Sequence, residues 1–192
     1  MTADPTSPLA AWTDRLTFAP ALIASERPFL SQLTVRVSDP DAVAALGSAL
    51  GVVFPSVPCT FTTGSGPFGA VEVLWLGPDE FLVVAAPDLQ LPIEDALRAV
   101  PFKGSVVDTS AQRTTLVLEG SHVRDVLAHG CSVDLHPSSA PVGTCVQTLL
   151  ARTGIILQVT GPDRFTILVR SSFAQYLAAW LSDACVEYGA VP

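Results

Sequence analysis

Two stretches decide how this chain is read: WLGPDEFLVV at Trp75–Val84 and VTGPDRFTIL at Val159–Leu168. In each, an apolar run meets a Gly-Pro-Asp turn and a second apolar run follows, the pattern of a β-hairpin. Trp75 against Val159 is an offset of 84. The strand-plus-helix segments before the hairpins, Leu33–Leu46 and Leu116–His129, match at 83. So constant an offset points to an internal duplication.

Working outward from the first hairpin, Leu33, Val35 and Val37 alternate with Thr34 and Arg36, as in a half-buried strand. Asp39 is placed to cap a helix with Pro40 at its first position, Val43, Leu46 and Leu50 inward, and Gly51 at its stop. Cys59–Thr63 reads as a short strand and Gly64-Ser65-Gly66-Pro67 as a loop. Strands are expected at Val71–Leu76 and Phe81–Ala86. A short helix starts at Pro92, with Ile93, Leu97 and Val100 inward and Glu94 pairing with Arg98. The second half repeats this order. Thr114–Leu118 is a strand, and Ser121 caps a helix with Val123, Val126 and Leu127 inward. Cys145–Ala151 is a strand, and Ile155–Thr160 and Phe165–Arg170 form the second hairpin. Ser172 and Gln175 form a capping box for a last amphipathic helix through Trp180 and Tyr188, ended by Gly189. The fold class is therefore α+β: duplicated β-α-β-β-α units, each with room for an extra strand, as antiparallel sheets with helices on one face. The divisions expected are an arm or tail at 1–28, a first half at 29–103 and a second at 104–192. In the arm, Pro5, Pro8, Pro20 and Pro28 forbid a continuous helix, and Leu9, Trp12, Leu16 and Phe18 are potential anchors on a partner.

Composition narrows function. Across 192 residues, ten Lys and Arg stand against eighteen Asp and Glu, for a net charge of −8. Lys103 is the single lysine. With no basic stripe, neither nucleic acid nor an anionic membrane surface is an expected partner. Apolar residues make up 49% and charged ones 15%, which argues against disorder and suggests a surface partly covered by a partner. The N-terminus carries Asp4 and no basic segment, unlike a secretory signal. Cys59, Cys131, Cys145 and Cys185 form no C-x-x-C pair, so free thiols in a reducing cytoplasm are expected.

No nucleotide-binding, nucleophile-elbow or zinc-protease motif occurs. Gly64-Ser65-Gly66 is a weak phosphate cradle. His129, Cys131, His136 and Cys145 are zinc-type ligands at a spacing that matches no standard site, and His122 and His129 would share one helix face. Cys131 beside a histidine is a weak nucleophile pair. Two polar stretches are better candidates. In Asp108–Arg113, Asp and Ser can cap backbone donors, and Arg113 can pair with Asp108. The segment Gly130–Cys145 is a polar, proline-punctuated loop of the kind that carries function. The candidate partner-contact positions are Asp108, Ser110, Arg113, Gly130, Cys131, Asp134, His136, Pro141, Gly143 and Thr144. No catalytic, cofactor-binding or metal-binding residue is assigned.

The stretch VVDTSAQRTTLVLEGSHVRDVLAHGCSVDLHP (Val106–Pro137), followed by PVGTCVQTLLAR and RSSFAQYLAAWLSDA, resembles the gamma subunit of heterotetrameric sarcosine oxidase. The resemblance covers most of residues 30–188 and rests on G-C-x-x-D-L-H-P, P-x-G-x-C and S-F-x-x-Y-L-x-x-W-L taken together. Ala140 stands where that family often has an aromatic. The resemblance implies a fold like the folate-binding domain of aminomethyltransferase. It implies a non-catalytic subunit of a cytoplasmic heterotetramer, needed for assembly with alpha, beta and delta subunits. Such an oxidoreductase complex serves sarcosine catabolism and one-carbon metabolism. It demethylates sarcosine to glycine, giving hydrogen peroxide and either formaldehyde or methylene-tetrahydrofolate. FAD, FMN, NAD, zinc and tetrahydrofolate are then expected on the other subunits, none on this chain. Two alternatives stay open. One is a free-standing folate protein of the aminomethyltransferase type, although the K-G-C-Y-x-G-Q-E box is only echoed at Gly130–Val133. The other is the equivalent subunit of an enzyme for another N-methyl amino acid, such as N-methylglutamate.

Overall fold

Alternation of apolar and polar residues from Leu33 to Val37 produces strand β3 (Leu30–Val37), an inner strand of the first sheet in a computed structural model that describes residues 5–18 and 21–189. Asp4 and Pro20 lie outside the described residues. Helix α1 (Pro40–Leu50) follows as its end signals dictate. Asp39 accepts a hydrogen bond from the Asp41 N–H at 3.1 Å, Pro40 occupies the first turn, and Gly51 ends the helix at φ 73°. Strands β4 (Phe61–Gly66), β5 (Gly69–Gly77) and β6 (Glu80–Pro87) come next, then helix α2 (Gln90–Arg98) and strand β7 (Gly104–Asp108). The sheet order is β4-β5-β6-β3-β7, every pair antiparallel. Leu33 and Val35 of β3, Val71 and Val73 of β5, and Phe81 and Val83 of β6 share one face with Leu46 and Leu50 of α1 and Ile93 and Leu97 of α2. Each fully buried Leu or Ile contributes about 1.5–3 kcal/mol, so this face holds most of the sheet's stability. The Glu94–Arg98 pair forms at 2.6 Å on the exposed side of α2.

The second sheet repeats the first. Strand β8 (Arg113–Glu119), helix α3 (Val123–Ala128), strands β9 (Cys145–Leu150), β10 (Thr153–Gly161) and β11 (Arg164–Arg170) and helix α4 (Ala174–Cys185) follow in the same order. The duplication extends to register. Trp75 opposes Phe81 across β5 and β6, and Val159 opposes Phe165 across β10 and β11. Both hairpins then shift register at the same place, between Trp75 and Gly77 and between Val159 and Gly161. Each repeat is thus β-α-β-β-β-α, with the extra strand present in both.

The chain divides into two units, one of Phe29–Ala111 with Gly143–Val146, the other of Met1–Pro28, Gln112–Val142 and Gln147–Pro192. Both boundaries differ from expectation. Strand β7 pairs with β3 from Leu33↔Asp108 to Val37↔Gly104, so the first half runs past residue 103. The described residues of the segment 1–28, 5–18 and 21–28, are not a tail. The segment's strands β1 (Thr17–Phe18) and β2 (Leu22–Arg27) extend the second sheet, whose order is β1-β2-β8-β11-β10-β9. β2 flanks β8 as β7 flanks β3, from Ile23↔Glu119 to Arg27↔Thr115. Leu9, Leu16 and Phe18 are consequently buried in their own chain, and the indole of Trp12 carries the Arg15 guanidinium at 4.5 Å.

Three local expectations are corrected. Gly64-Ser65-Gly66 is strand, not loop, because β4 pairs with β5 through Gly66↔Gly69. Its glycines let backbone meet backbone: a Cβ on Gly66 would stand 2.4 Å from the Leu50 carbonyl oxygen. No Ser121 cap starts α3. Its Val123 N–H bonds the Gly120 carbonyl at 3.1 Å, so backbone serves where a side chain was expected. The Ser172–Gln175 box does not form either, since a 3-10 turn at Ser171–Phe173 leads into α4 and the Ala174 N–H bonds the Ser171 carbonyl. No described helix is long and apolar enough to cross a membrane.

Gly66→Ala is expected to destabilise the chain by about 1–3 kcal/mol, because the added methyl meets backbone that cannot swing aside. Urea unfolding of the variant checks this, and an unchanged midpoint would contradict it.

Candidate functional site

The candidate positions fall on both units: Asp108, Ser110, Gly143 and Thr144 on one, and Arg113, Gly130, Cys131, Asp134, His136 and Pro141 on the other. Asp108 and Ser110 build a turn that ends β7 beside the start of β3. Asp108 Oδ1 accepts from the Ser110 N–H at 2.9 Å and from its hydroxyl at 2.5 Å, and Ser110 Oγ accepts from the Gln32 N–H at 2.9 Å. These groups satisfy buried backbone, which is a structural duty. Arg113 opens β8 directly opposite Arg170 of β11. Both line a cavity of about 160 Å³ together with Gln147, Thr148 and Gly154.

The segment after α3 is braced from within. Gly130 accepts from the Ala151 N–H at 2.9 Å, and Cys131 forms a bridge with Leu150. Gly130 has to be glycine, because a Cβ there would lie 2.7 Å from the Trp180 ring. Further on, Asp134 accepts from the His136 N–H at 2.9 Å and from the Ser139 hydroxyl at 2.7 Å. His136 Nδ1 meets Ser138 Oγ at 2.7 Å, and the His136 carbonyl accepts from the N–H groups of Ser139 and Ala140, both at 2.8 Å. Those bonds hold the Asp134 carboxyl below its ordinary value of 3.8, the His136 N–H first and the Ser139 hydroxyl second. Arg124 of α3, which sequence reading passed over, pins this loop from outside. Its guanidinium donates to the Leu135 carbonyl and, at 3.0 Å, to the Pro162 carbonyl, and lies 4.9 Å over the Phe165 ring. Nothing in the helical pattern marks this arginine, since both carbonyls it meets come from distant turns.

The zinc-type set does not assemble. Among the described residues no three His, Cys, Asp or Glu side chains come together as a metal site. His129 Nε2 meets the Tyr188 hydroxyl at 2.9 Å and the His122 ring stacks on Tyr188 at 5.0 Å. The two histidines do share a face, and that face holds the turn after α4. Cys145 and Cys185 are buried, which pushes their thiols up to about 12 and about 11. Cys59 is exposed.

Apolar surface is also open to solvent among the described residues. In the first unit a groove of about 680 Å³ is lined by Pro40, Val43, Gly47, Phe54, Trp75 and Phe81. In the second, Leu149 of β9, Phe173 and Tyr176 stand in solvent, Phe173 at 41% and Tyr176 at 38% exposure. Phe173 meets Tyr176 edge-on at 6.4 Å, and the Tyr176 hydroxyl accepts from the Arg152 N–H at 3.3 Å.

Because the folded Asp134 carboxyl titrates below its unfolded value, its support for the loop is full above the unfolded value and lost as pH falls through the depressed one. Amide NMR signals of His136 and Ser139 are expected to shift together only below the ordinary carboxyl value of 3.8, and Asp134→Asn should abolish that step. Trp180→Ala should cost about 2 kcal/mol in urea unfolding, less than a fully buried aromatic, since the ring is only partly covered.

The family model described as "Sarcosine oxidase, gamma subunit family" matches residues 35–187. The sarcosine oxidase subunit gamma of Corynebacterium sp. (strain U-96) is 38% identical over 173 residues, covering 88% of this chain and 82% of that protein. Its counterpart from Arthrobacter sp is 35% identical over 171 residues, covering 88% and 83%. A chain of the heterotetrameric sarcosine oxidase from Corynebacterium sp. U-96, solved in complex with pyrrole 2-carboxylate, superposes with a TM-score of 0.86 at 34% identity over 98% of both chains. The glycine cleavage system aminomethyltransferase T from Bartonella henselae shares the fold, with a TM-score of 0.64 at 20% identity over 91% of this chain and 49% of that one. The doubled strand-helix order, the matched hairpin registers and a likeness that runs the length of the chain have one common explanation: the chain belongs to the sarcosine oxidase gamma subunit family.

Proposed function

We propose that this chain is the non-catalytic gamma subunit of a cytoplasmic heterotetrameric sarcosine oxidase and that it braces alpha, beta and delta subunits. The observation that carries the reading is the match over 98% of both chains with a component of such a heterotetramer. Sarcosine oxidation, with FAD, FMN, NAD, zinc and tetrahydrofolate, falls to the other subunits. The polar groups of this chain fit a bracing role. Asp108, Ser110, Asp134 and His136 spend their hydrogen bonds on local backbone and on each other. A loop fixed in this way loses little conformational entropy on docking, which favours assembly. The apolar contacts of that interface are Leu149, Phe173 and Tyr176, large side chains that a lone chain leaves in water. His136 and Pro141 of the neighbouring loop add polar and shape complementarity.

Purification of the tagged chain from its native host should yield a yellow complex with two larger flavin-binding chains and one small chain, active on sarcosine. A colourless lone chain would overturn the reading. Phe173→Ser with Tyr176→Ser should leave the melting temperature of the isolated chain within a few degrees and lower the yield of the complex at least severalfold. An unchanged yield would remove this surface from the interface.

A further inference from the structure

Cys59 and Cys145 lie far apart in sequence, yet the fold sets them opposite each other. The segment Gly143–Val146, which runs into β9, belongs to the first unit and meets the residues before β4 at an isolated bridge. Thr60 bridges Thr144 in antiparallel sense, the Cys145 N–H bonds the Cys59 carbonyl at 2.8 Å, and the Phe61 N–H bonds the Gly143 carbonyl at 3.4 Å. That register sets Cys59 opposite Cys145, with one backbone hydrogen bond joining the two residues directly. Opposed residues of a hydrogen-bonded antiparallel pair have Cα atoms about 5.5 Å apart, within the roughly 4.4–6.8 Å that a disulfide spans.

We propose that Cys59 and Cys145 form a peroxide-sensitive dithiol that closes to a cross-strand disulfide, tying the Gly143–Val146 segment to β4. Both are free thiols in the structure. Their environments differ. Cys59 is exposed and adopts a left-handed φ of 60°, so a small oxidant reaches it. Cys145 is fully buried, so it meets oxidant only through its neighbour. The charge of Cys59 adds to the effect of burial in pushing the Cys145 thiol up, as expected for sulfurs within electrostatic reach.

The chemistry balances in two steps. The Cys59 sulfur attacks hydrogen peroxide, the O–O bond breaks, and sulfenic acid and one water result. The Cys145 sulfur then attacks the sulfenic sulfur. An S–S bond forms, the S–O bond breaks, and the hydroxyl leaves with the thiol proton as a second water. Two electrons pass from the two thiols to one peroxide.

The test is hydrogen peroxide added to the isolated full-length chain, followed by alkylation after unfolding, intact mass and peptide mapping. The source of peroxide is thereby independent of the proposed oxidase role, so failure here leaves that role standing. The expected result is a mass loss of about 2 Da, two of four thiols blocked from alkylation, and a cross-linked peptide joining Cys59 to Cys145. Dithiothreitol should reverse it. Cys131→Ser with Cys185→Ser should behave alike. In Cys145→Ser, sulfenic acid should persist on Cys59 and be trapped by dimedone. Conversion of Cys59 to sulfinic acid with Cys145 still alkylatable would overturn the proposal, as would a disulfide through Cys131 or Cys185.

Discussion

The antiparallel ladder between the first and last strands of each repeat, β3 with β6 and β8 with β11, is the constraint on which everything else hangs. It runs over seven opposed pairs in each sheet, Leu30↔Pro87 to Arg36↔Glu80 and Arg164↔Glu119 to Arg170↔Arg113. A one-residue slip would send Leu33, Val35 and Val37 to the wrong face, so the apolar pattern admits one register. With that register set, the outer hairpin strands β5 and β10 take their places through the Gly-Pro-Asp turns. The helices then close over the face that carries the large aliphatic side chains. Leu116, Leu118 and Phe165, all fully buried, show the second ladder held as the first is.

The ladder also explains why polar residues cluster where they do. Once both sheets are set, strand ends and connections must find partners for their backbone groups. The Asp108–Ser110 turn does this for β3, and the Asp134–Ala140 turn does it for the long connection after α3. Arg124 serves two carbonyls and an aromatic ring from one helix position. These groups tie down backbone, while the aromatics Phe173 and Tyr176 stay partly open to solvent.

At the candidate positions the turns were legible. Asp, Ser and His in short polar runs announced turns, and turns are what they make. Which of those turns belong to one unit was not legible, since Gly143 and Thr144 join the first unit through pairing with a strand more than eighty residues earlier. The spacing of His129, Cys131, His136 and Cys145 suggested ligands converging on a point. The fold instead gives His129 to Tyr188, His136 to Ser138 and Cys145 to the strand opposite Cys59. Linear spacing carries no information about convergence once a strand and a turn intervene.

By itself the sequence determined the duplication, the two hairpins, the Asp39–Pro40 start and Gly51 stop of α1, and the α+β class. Each rests on local rules: side-chain period, capping chemistry and the φ that glycine permits. Tertiary structure alone decided that the place beside β8 is taken by β2 from the N-terminal segment, whereas the place beside β3 is taken by β7, which follows α2. A sheet edge accepts any extended segment with free backbone donors and acceptors, whatever its place in the chain. It likewise decided that Gly64 and Gly66 lie in a strand pressed against the end of α1. The same glycines that read as a flexible loop serve a close approach, and only the packed neighbour distinguishes the two.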